Sequence, residues 1–347
     1  MSASLSTQSV TTMLRWAPLF FLALLVISFG TLAPRFLSVE NLAAILVQSS
    51  WLIVVALGMN FVLLAAGVDL SVGAAMYLAA VVVGMGLADA PVWMCMLASV
   101  LVGASFGAIN ASLIVRLGLP AFIVTLATIF AGRGLGLYLS STRIVYAGPA
   151  VADFGRAQLL GVPVPLWIAA VATAIAWVML NRMPLGAYVR SIGADTEGAR
   201  RVGVPTQAVT WGVYALCGAF AGLGGFISLS QSSAASGAFG QGAEFLAIAA
   251  AVLGGTSLFG GRGNLWAPVI GAVLIMTVQN GLVMMNANPY AYPVITGTVI
   301  FLAALFDSIR SRLQARLERH AIRPEAEQAK PVTFHHLPAE TSTRGQS

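Results

Sequence analysis

The chain has 347 residues, of which 58% are hydrophobic and 9% charged, and its mean hydropathy is +0.88. A soluble domain carries about 25% charged residues, so this composition excludes an ordinary soluble protein and indicates an integral membrane protein. The formal net charge of +6 does not require nucleic acid as a partner, because basic loops on one side of a bilayer give the same excess. The two cysteines lie in apolar runs and provide no disulfide framework.

Apolar runs close to the roughly 20 residues that cross a bilayer recur along the chain. They predict an all-α polytopic membrane protein with about ten transmembrane helices. The predicted spans are residues 16–33, 50–66, 71–88, 92–115, 121–139, 164–180, 208–230, 245–253 with its flanks, 265–285 and 292–306. A short amphipathic piece is predicted at 41–47. The first run has no evident cleavage site, so we expect it to be retained as a span.

The basic residues predict which side of the membrane each loop faces. With a cytoplasmic N-terminus, 14 of the 18 Lys and Arg residues fall inside, 3 fall outside and Arg133 lies within a span. The three outside are Arg35, Arg143 and Arg156. Because cytoplasmic loops carry an excess of positive residues, both termini are predicted to be cytoplasmic. Residues 1–15 then form a cytoplasmic segment, 16–306 the transmembrane domain, and 307–347 a cytoplasmic basic helix followed by a disordered tail.

A polar stretch, residues 181–207, separates the sixth and seventh predicted spans. Its charges cannot lie in hydrocarbon, where a central Arg or Asp costs roughly 2.5–3.5 kcal/mol, so it is predicted to be a cytoplasmic loop. Within it, residues 194–202 are predicted to form a short helix, because Asp195 can cap the first turn and Gly203 can end it. Such a charged helix could dock a partner. A solvated connector held near anionic lipid by its arginines is the alternative interpretation.

Glycine-rich joints occur at two further points predicted to face the cytoplasm. Where the third span begins, an acidic residue either caps the helix or takes part in a gate. After the eighth span, a loop with five glycines favours a tight re-entrant or hairpin turn over a phosphate site, because no strand precedes it. The residues assigned to this cytoplasmic gate or turn are Asp69, Ser71, Gly254, Gly255, Gly260, Gly261 and Arg262.

Polar side chains inside predicted spans are candidates for lining a pathway, and hydrogen bonding between helices is the alternative. The pathway candidates are Asn60, Asn110, Thr125, Arg133, Gln279 and Asn280. Arg133 is expected either to snorkel outward or to pair with Glu244, which is predicted near the outer end of the eighth span. No Asp or Glu is expected near mid-depth in spans two to ten. That expectation argues against coupling to protons or sodium and favours a neutral polar solute.

Four stretches, in order along the chain, resemble one family. They are LAAGVDLSVGAAMYLAA (64–80), GLPAFIVTLATIFAGRGL (118–135), PLGAYVRSIGADTEGARRVGV (184–204) and EFLAIAAAVLGGTSLFGGRGNLWAPVIGAVLI (244–275). Together they resemble the permease (transmembrane) subunits of bacterial ATP-binding cassette (ABC) importers of the ribose, xylose and galactose type. That family shares its architecture with the branched-chain amino acid permeases.

The resemblance implies that two permease copies, identical or homologous, form a pathway through the cell inner membrane with two ATPase subunits below it. ATP would be bound by the ATPase, since this chain has no G-x-x-x-x-G-K-[ST] phosphate loop, and no cofactor or metal is expected here. A periplasmic or lipid-anchored solute-binding protein would deliver a monosaccharide, either a pentose, a hexose or a related polyol. The residues implied in ATPase coupling are Gly193, Ala194, Asp195, Glu197, Arg200, Arg201 and Gly203.

Other functions remain open at the level of sequence. A permease for branched-chain amino acids or nucleosides would share the architecture. A secondary transporter would need buried carboxylates or a duplicated pair of broken helices, and only the glycine joints hint at the latter. An intramembrane enzyme would need clustered catalytic side chains, yet all three histidines, His320, His335 and His336, lie in the C-terminal tail.

Overall fold

The computed structural model describes residues 17–298 together with 301, 302 and 305. The predicted cytoplasmic segments 1–15 and 307–347, and most of the end of the tenth predicted span, lie outside the described residues.

Helices make up most of the described chain. They are α1 (Ala17–Leu32), α2 (Val39–Leu64), α3 (Val72–Gly86), α4 (Val92–Leu117), α5 (Ala121–Leu139), α6 (Pro149–Arg156), α7 (Val164–Asn181), α8 (Pro184–Ala194), α9 (Thr196–Arg201), α10 (Thr206–Ser232), α11 (Ala243–Leu253) and α12 (Trp266–Met284). A 3₁₀ turn, Pro289–Ala291, leads into helical residues 292–298. Two-residue strands form two antiparallel pairs, β1 (Val145–Tyr146) with β4 (Ala234–Ala235) and β2 (Gln158–Leu159) with β3 (Val162–Pro163).

Six of these helices are long and apolar enough to cross a membrane, namely α2, α4, α5, α7, α10 and α12. Shorter apolar helices are found at Pro18–Leu32, Val72–Gly86 and Ala243–Leu253. The protein is therefore a polytopic all-α membrane protein. Ten spans and cytoplasmic termini stay predictions.

Local sequence explains where the helices begin and end. Proline precedes the first residue of α4, α5 and α7 at Pro91, Pro120 and Pro163, where its missing N–H costs nothing. Gly118 ends α4 in the left-handed conformation with φ 66°. At the start of α2 the Ser38 side chain accepts a hydrogen bond from the Asn41 amide at 3.2 Å.

One predicted boundary is wrong. The separate amphipathic piece at 41–47 and the span at 50–66 form a single 26-residue helix, α2. No glycine or proline stands between Ser38 and Gly58 to interrupt it. The short eighth helix predicted at 245–253 is observed as α11, with 11 residues.

Burial separates the helices into an inner and an outer group. The apolar windows of α2, α10 and α12 are 61–67% buried, whereas those of α4, α5 and α7 are 22–28% buried. The central helices are α2, α10 and α12, and their buried side chains include Leu52 in α2 and Phe226 in α10. The outer helices expose apolar side chains such as Phe130, as expected for surfaces facing lipid or another subunit.

Helix connections group at two opposite ends of the bundle. At one end the α2–α3 connection contacts the end of α8 and the α11–α12 loop, through Leu64, Gly193 and Gly261. At the other end Gly148 packs on Ala88, between α3 and α4, and β1 pairs with β4. Between these ends α2 and α4 run in one direction, and α10 and α12 run in the opposite direction.

The helices α4 and α10 cross in close contact through glycines. A Cβ at Gly103 would meet the backbone of Gly218 and Gly222, and a Cβ at Gly218 would meet that of Gly103 and Gly107. Small residues of this kind let helix backbones approach in lipid, where no hydrophobic effect drives helices together. Gly218 and Gly222 therefore serve the packing of α4 against α10.

Replacing Gly218 with valine is expected to force α4 and α10 apart and to destabilise the fold by about 1–3 kcal/mol, as overpacking does. The purified variant should show a lower apparent Tm in mild detergent and a smaller monodisperse fraction. The matched control is Gly134→Val in α5, where a Cβ has nothing within 4 Å. Equal Tm values for the two variants would contradict the proposed packing.

Candidate functional site

The polar stretch folds into two short helices rather than one. Asp195 lies between α8 and α9 with extended backbone angles, φ −160° and ψ 102°, and its carboxylate accepts a hydrogen bond from the Glu197 amide at 3.1 Å. This is the predicted cap, and it requires a non-helical residue at 195. The helix predicted over 194–202 therefore shortens to Thr196–Arg201. Gly203, with φ 86°, follows its end as predicted.

Charged and apolar side chains project from α9 into open space. Glu197, Arg200 and Arg201 are exposed, and Val202 beyond the helix is 79% exposed. Ala199, which is only 4% exposed, attaches this small helix to the bundle. The helix thus presents a compact charged surface on a fixed base.

Other arginines of the stretch bind within the protein. Arg190 donates to the carbonyl of Leu180 at 3.2 Å, which fixes α8 against the end of α7. The Arg182 guanidinium lies 5.3 Å from the ring centroid of Trp177, a cation–π contact. The polar stretch is thereby fastened to α7, so it is more than a loose solvated connector.

Three backbone segments meet directly beneath α9, and we call this contact the glycine junction. Gly193 and Ala194 end α8, Leu64 ends α2, and Gly261 belongs to the α11–α12 loop. The Gly261 amide donates to the Leu64 carbonyl at 3.0 Å. A Cβ at Gly193 would meet that same carbonyl and would lie 2.5 Å from the Gly261 nitrogen. No side chain separates the three segments, so a displacement of α8 acts on the other two at once.

The α11–α12 loop is a tight turn, consistent with its glycines. Gly255, Gly260 and Gly261 have φ values of 108°, 85° and 70°, and the Ser257 amide donates to the Arg262 carbonyl at 2.8 Å. Arg262 is exposed, and Gly254 packs on the backbone at the start of α12.

Asn60 holds this loop to α2. Its Oδ1 accepts from the Thr256 hydroxyl at 2.6 Å, and its Nδ2 donates to the Asn264 carbonyl at 3.3 Å. Asn60 was a candidate for lining a pathway, and in this conformation its amide is used between helix and loop.

A second polar region surrounds the start of α3. The Asp69 carboxylate accepts from the amide and the hydroxyl of Ser71, at 2.9 and 2.6 Å. The Ser71 hydroxyl in turn accepts from Nδ2 of Asn110 in α4 at 2.7 Å. Asp69, Ser71 and Asn110 are 1%, 2% and 0% exposed.

This position differs from the predicted junction at the end of a span. The Tyr214 hydroxyl donates to the Val68 carbonyl at 3.3 Å, and Gly225 packs directly on Met76. Tyr214 and Gly225 lie on either side of the middle of α10. The segment around the start of α3, which contacts both, is therefore half-way along the bundle, and the chain turns back into the bundle after Leu64. Ser71, not Asp69, is the residue that precedes α3.

The start of α11 lies beside the start of α3. A Cβ at Gly73 would meet the Gly240 carbonyl, would lie 2.5 Å from Glu244 Oε2 and would lie 3.4 Å from Arg133 Nη2. Nη1 of Arg133 donates to the carbonyls of Gly237 and Phe239, both at 3.3 Å. Glu244 is 4% exposed. Two alternatives were open for Arg133, and the structure places it near Glu244, without a direct hydrogen bond between them.

The prediction that carboxylates are absent from the middle of the bundle is therefore wrong. Asp69 and Glu244 are both buried there, next to the first turns of α3 and α11. From sequence, each polar joint was predicted to lie at the end of a continuous span. In the structure two of these joints, residues 65–71 and 233–242, enter the bundle. Coupling to protons or sodium is therefore open again, with Asp69 and Glu244 as the buried carboxylates that it would need.

The remaining pathway candidates lie apart from this region or bind locally. The Thr125 hydroxyl donates to the Ala121 carbonyl one turn earlier at 2.9 Å. Asn280 exchanges two hydrogen bonds with Asn41, both at 3.0 Å, near the other end of α2. Gln279 is half-buried in α12. Their role in a pathway stays a prediction.

Sequence reasoning missed Asn41 and the approach of Gly73 to Gly240. The available signal for the second was the glycines beside the third and eighth predicted spans. Nothing local indicates that these two segments meet, because Gly73 and Gly240 are 167 positions apart.

Replacing Gly193 with alanine is expected to weaken the hydrogen bond between the Gly261 amide and the Leu64 carbonyl, because the new methyl group would occupy the glycine junction. Hydrogen–deuterium exchange of a peptide covering residues 254–264 should become faster. Gly212→Ala is the control, since a Cβ there has nothing within 4 Å. Unchanged exchange in the Gly193 variant would refute the contact.

Comparison with known proteins gives a consistent match. Residues 41–304 match the family described as branched-chain amino acid transport system / permease component. The D-allose transport system permease protein of Escherichia coli K12 is 36% identical over 86% of this chain and 93% of its own length. The ribose import permease protein of Bacillus subtilis 168 is 37% identical over 86% and 94%. The fructose import permease protein of Bifidobacterium longum is 29% identical over 80% of each chain.

No solved structure matches the chain significantly. The four stretches that predicted a permease, at 64–80, 118–135, 184–204 and 244–275, lie within the matched region. The predicted family is confirmed. The chain belongs to the branched-chain amino acid transport system permease family, whose curated members similar to it include several sugar permeases.

Proposed function

We propose that this protein is the permease subunit of an ATP-driven importer in the cell inner membrane and forms the translocation pathway for a monosaccharide. The observation that carries the proposal is the exposed, charged helix α9, which is fixed to the bundle and adjoins the glycine junction. The importer permeases named above, similar to this chain over more than 80% of their length, support it.

The ATPase is a separate subunit, which hydrolyses ATP. It receives α9 in a cleft on its surface. Arg200 and Arg201 offer positive charge and Glu197 negative charge to that cleft, while Val202 offers apolar surface. Closure of the ATPase would push α9 and α8 together. The glycine junction then carries the displacement to the end of α2 and to the α11–α12 loop.

The proposed topology has ten spans with both termini in the cytoplasm. The end of the bundle that carries α9 also carries Arg116, Arg182, Arg190 and Arg262, whereas the opposite end carries Arg35, Arg143 and Arg156. This asymmetry supports a cytoplasmic position for α9. A functional unit then contains two permease copies, two ATPases and an external solute-binding protein.

The proposed cargo is a pentose, hexose or related polyol. Relatives named for D-allose, ribose and fructose support a sugar over a branched-chain amino acid or a nucleoside. The binding protein that delivers the solute would set most of the selectivity. Amino acid or nucleoside uptake by the assembled complex would redirect the cargo without changing the class of transporter.

A second candidate is a carrier driven by an ion gradient without ATP. The observation in its favour is the pair of buried carboxylates, Asp69 and Glu244, beside two short helices. Uptake by the permease alone in liposomes, driven by a proton or sodium gradient, would support the carrier. An absolute requirement for ATP and the ATPase would exclude it.

Reversing the charges of α9, in the double variant Glu197→Lys with Arg201→Glu, is expected to release the ATPase from the purified complex and to lower ATP-driven uptake at least tenfold. Both side chains are exposed, so the permease itself should keep its apparent Tm. The matched control reverses Arg143 and Asp153 at the opposite end of the bundle. Wild-type uptake by the α9 variant would refute the docking role.

A further inference from the structure

Four buried side-chain atoms in the described part of the chain have no hydrogen-bond partner, and they belong to one region. They are Oδ2 of Asp69, Oδ1 of Asn110, Nη2 of Arg133 and Oε2 of Glu244. Buried polar groups are almost always paired, so an unpaired one in a native protein calls for a reason. Four of them around residues 69–73 point to a group that the region receives from outside.

The four atoms form two pairs on either side of the first turn of α3. Asp69 and Asn110 meet at the Ser71 hydroxyl. Arg133 and Glu244 both face Gly73, with Oε2 at 2.5 Å and Nη2 at 3.4 Å from the point where its Cβ would lie. Both pairs therefore contact the same short stretch of backbone, residues 69–73.

Two helices also begin here. The segment 65–71 enters the bundle from the end that carries α9, and the segment 233–242 enters from the opposite end, until Gly73 and Gly240 touch. The N-termini of α3 and α11 consequently adjoin in the middle of the protein. Helix N-termini carry partial positive charge, which stabilises the carboxylates of Asp69 and Glu244 there. In secondary transporters, interrupted helices near the middle of the membrane form the solute site.

We propose that this region is the solute site of the pathway, where Arg133 and Glu244 bind hydroxyl groups of a neutral sugar. The assignment rests on the proposed function. A sugar hydroxyl both donates and accepts, so it can accept from Nη2 of Arg133 and donate to Oε2 of Glu244 at once. The positive charge of Arg133 and the negative charge of Glu244 offset each other, so a solute without net charge leaves no uncompensated charge in the site.

The site is closed in this conformation. All four atoms are inaccessible, and the Gly240 carbonyl lies against Gly73. The segment 233–242 contains Gly237, Gly240 and Gly242, of which the last two have φ values of 68° and 78°. The start of this segment is held by the pairing of β4 with β1, and its middle part is held to Arg133 through the carbonyls of Gly237 and Phe239. Its withdrawal from α3 would open the site toward the end of the bundle opposite α9.

The decisive experiment measures sugar transported per ATP hydrolysed, in proteoliposomes with the ATPase and saturating solute-binding protein. Radiolabelled D-allose, D-ribose and D-fructose are the probes. Glu244→Gln is expected to lower this ratio at least tenfold while ATP hydrolysis continues. The control is Thr277→Val, which removes a buried hydroxyl bonded only to its own helix at Val273 and should leave the ratio unchanged.

A purely structural role predicts a different result. In that case Glu244→Gln would lower the apparent Tm and would reduce hydrolysis and transport in parallel, with an unchanged ratio, and the site assignment would be overturned. An ordered water in place of the sugar predicts the same unchanged ratio. Arg133→Lys, which keeps the charge and loses the fork geometry, is measured alongside and decides the question if the Glu244 variant does not assemble.

Protection from alkylation supplies an independent readout. The thiol of Glu244→Cys is expected to react with a membrane-impermeant methanethiosulfonate during turnover and to be protected by saturating D-allose, D-ribose or D-fructose. Cys95 and Cys217 are buried, and Cys217 lies beside Asp69, so the complex without the Glu244→Cys change is alkylated in parallel to measure their own reaction. Reaction without protection by a transported sugar would overturn the site. A wild-type complex without ATP-dependent uptake of any probe would instead refute the proposed cargo, and with it the assignment to sugar hydroxyls.

Discussion

Direct contact between backbones, at positions where glycine leaves no side chain, is the interaction on which this structure depends. It joins α4 to α10 through Gly103 and Gly218, α8 to α2 through Gly193, and α3 to the 233–242 segment through Gly73. In lipid, helices gain nothing from the hydrophobic effect by associating, so van der Waals contact and hydrogen bonds must hold them together. A glycine contact supplies both, because it brings carbonyl oxygens and amides of neighbouring segments within bonding distance.

The same contacts allow non-helical backbone to exist inside the bundle. Residues 65–71 and 233–242 would be unstable against hydrocarbon, where each unpaired backbone group costs several kcal/mol. Here the Val68 carbonyl accepts from Tyr214, and the carbonyls of Gly237 and Phe239 accept from Arg133. Tyr214 and Arg133 thus use hydrogen-bond donors to pair backbone carbonyls near the short helices. The side-chain atoms that stay unpaired are the ones that the proposed solute site offers.

Much of this architecture could be predicted from sequence, because its causes are local. Apolar length marked the helices, proline and glycine marked their ends, and Asp195 marked the cap of α9. The depth of Asp69 and Glu244 could not be predicted, since a polar joint has the same composition whether it lies in solvent or re-enters the bundle. Only contacts distant in sequence distinguish the two, such as Gly73 with Gly240, or Asn41 with Asn280. The error mattered, because it removed the carboxylates from the middle of the bundle.

The two parts of the candidate site are connected by a short length of chain. Leu64, whose carbonyl receives the Gly261 amide under α9, is separated from Asp69 by four residues of non-helical backbone. The α11–α12 loop is connected in the same way, because Gly254 directly follows the helix that begins beside Glu244. An element that moves the glycine junction therefore pulls on both short helices, α3 from its start and α11 from its end. Since their N-termini face each other at the solute site, opposite displacements of the two helices would change the separation of Arg133 and Glu244 without unfolding any long helix.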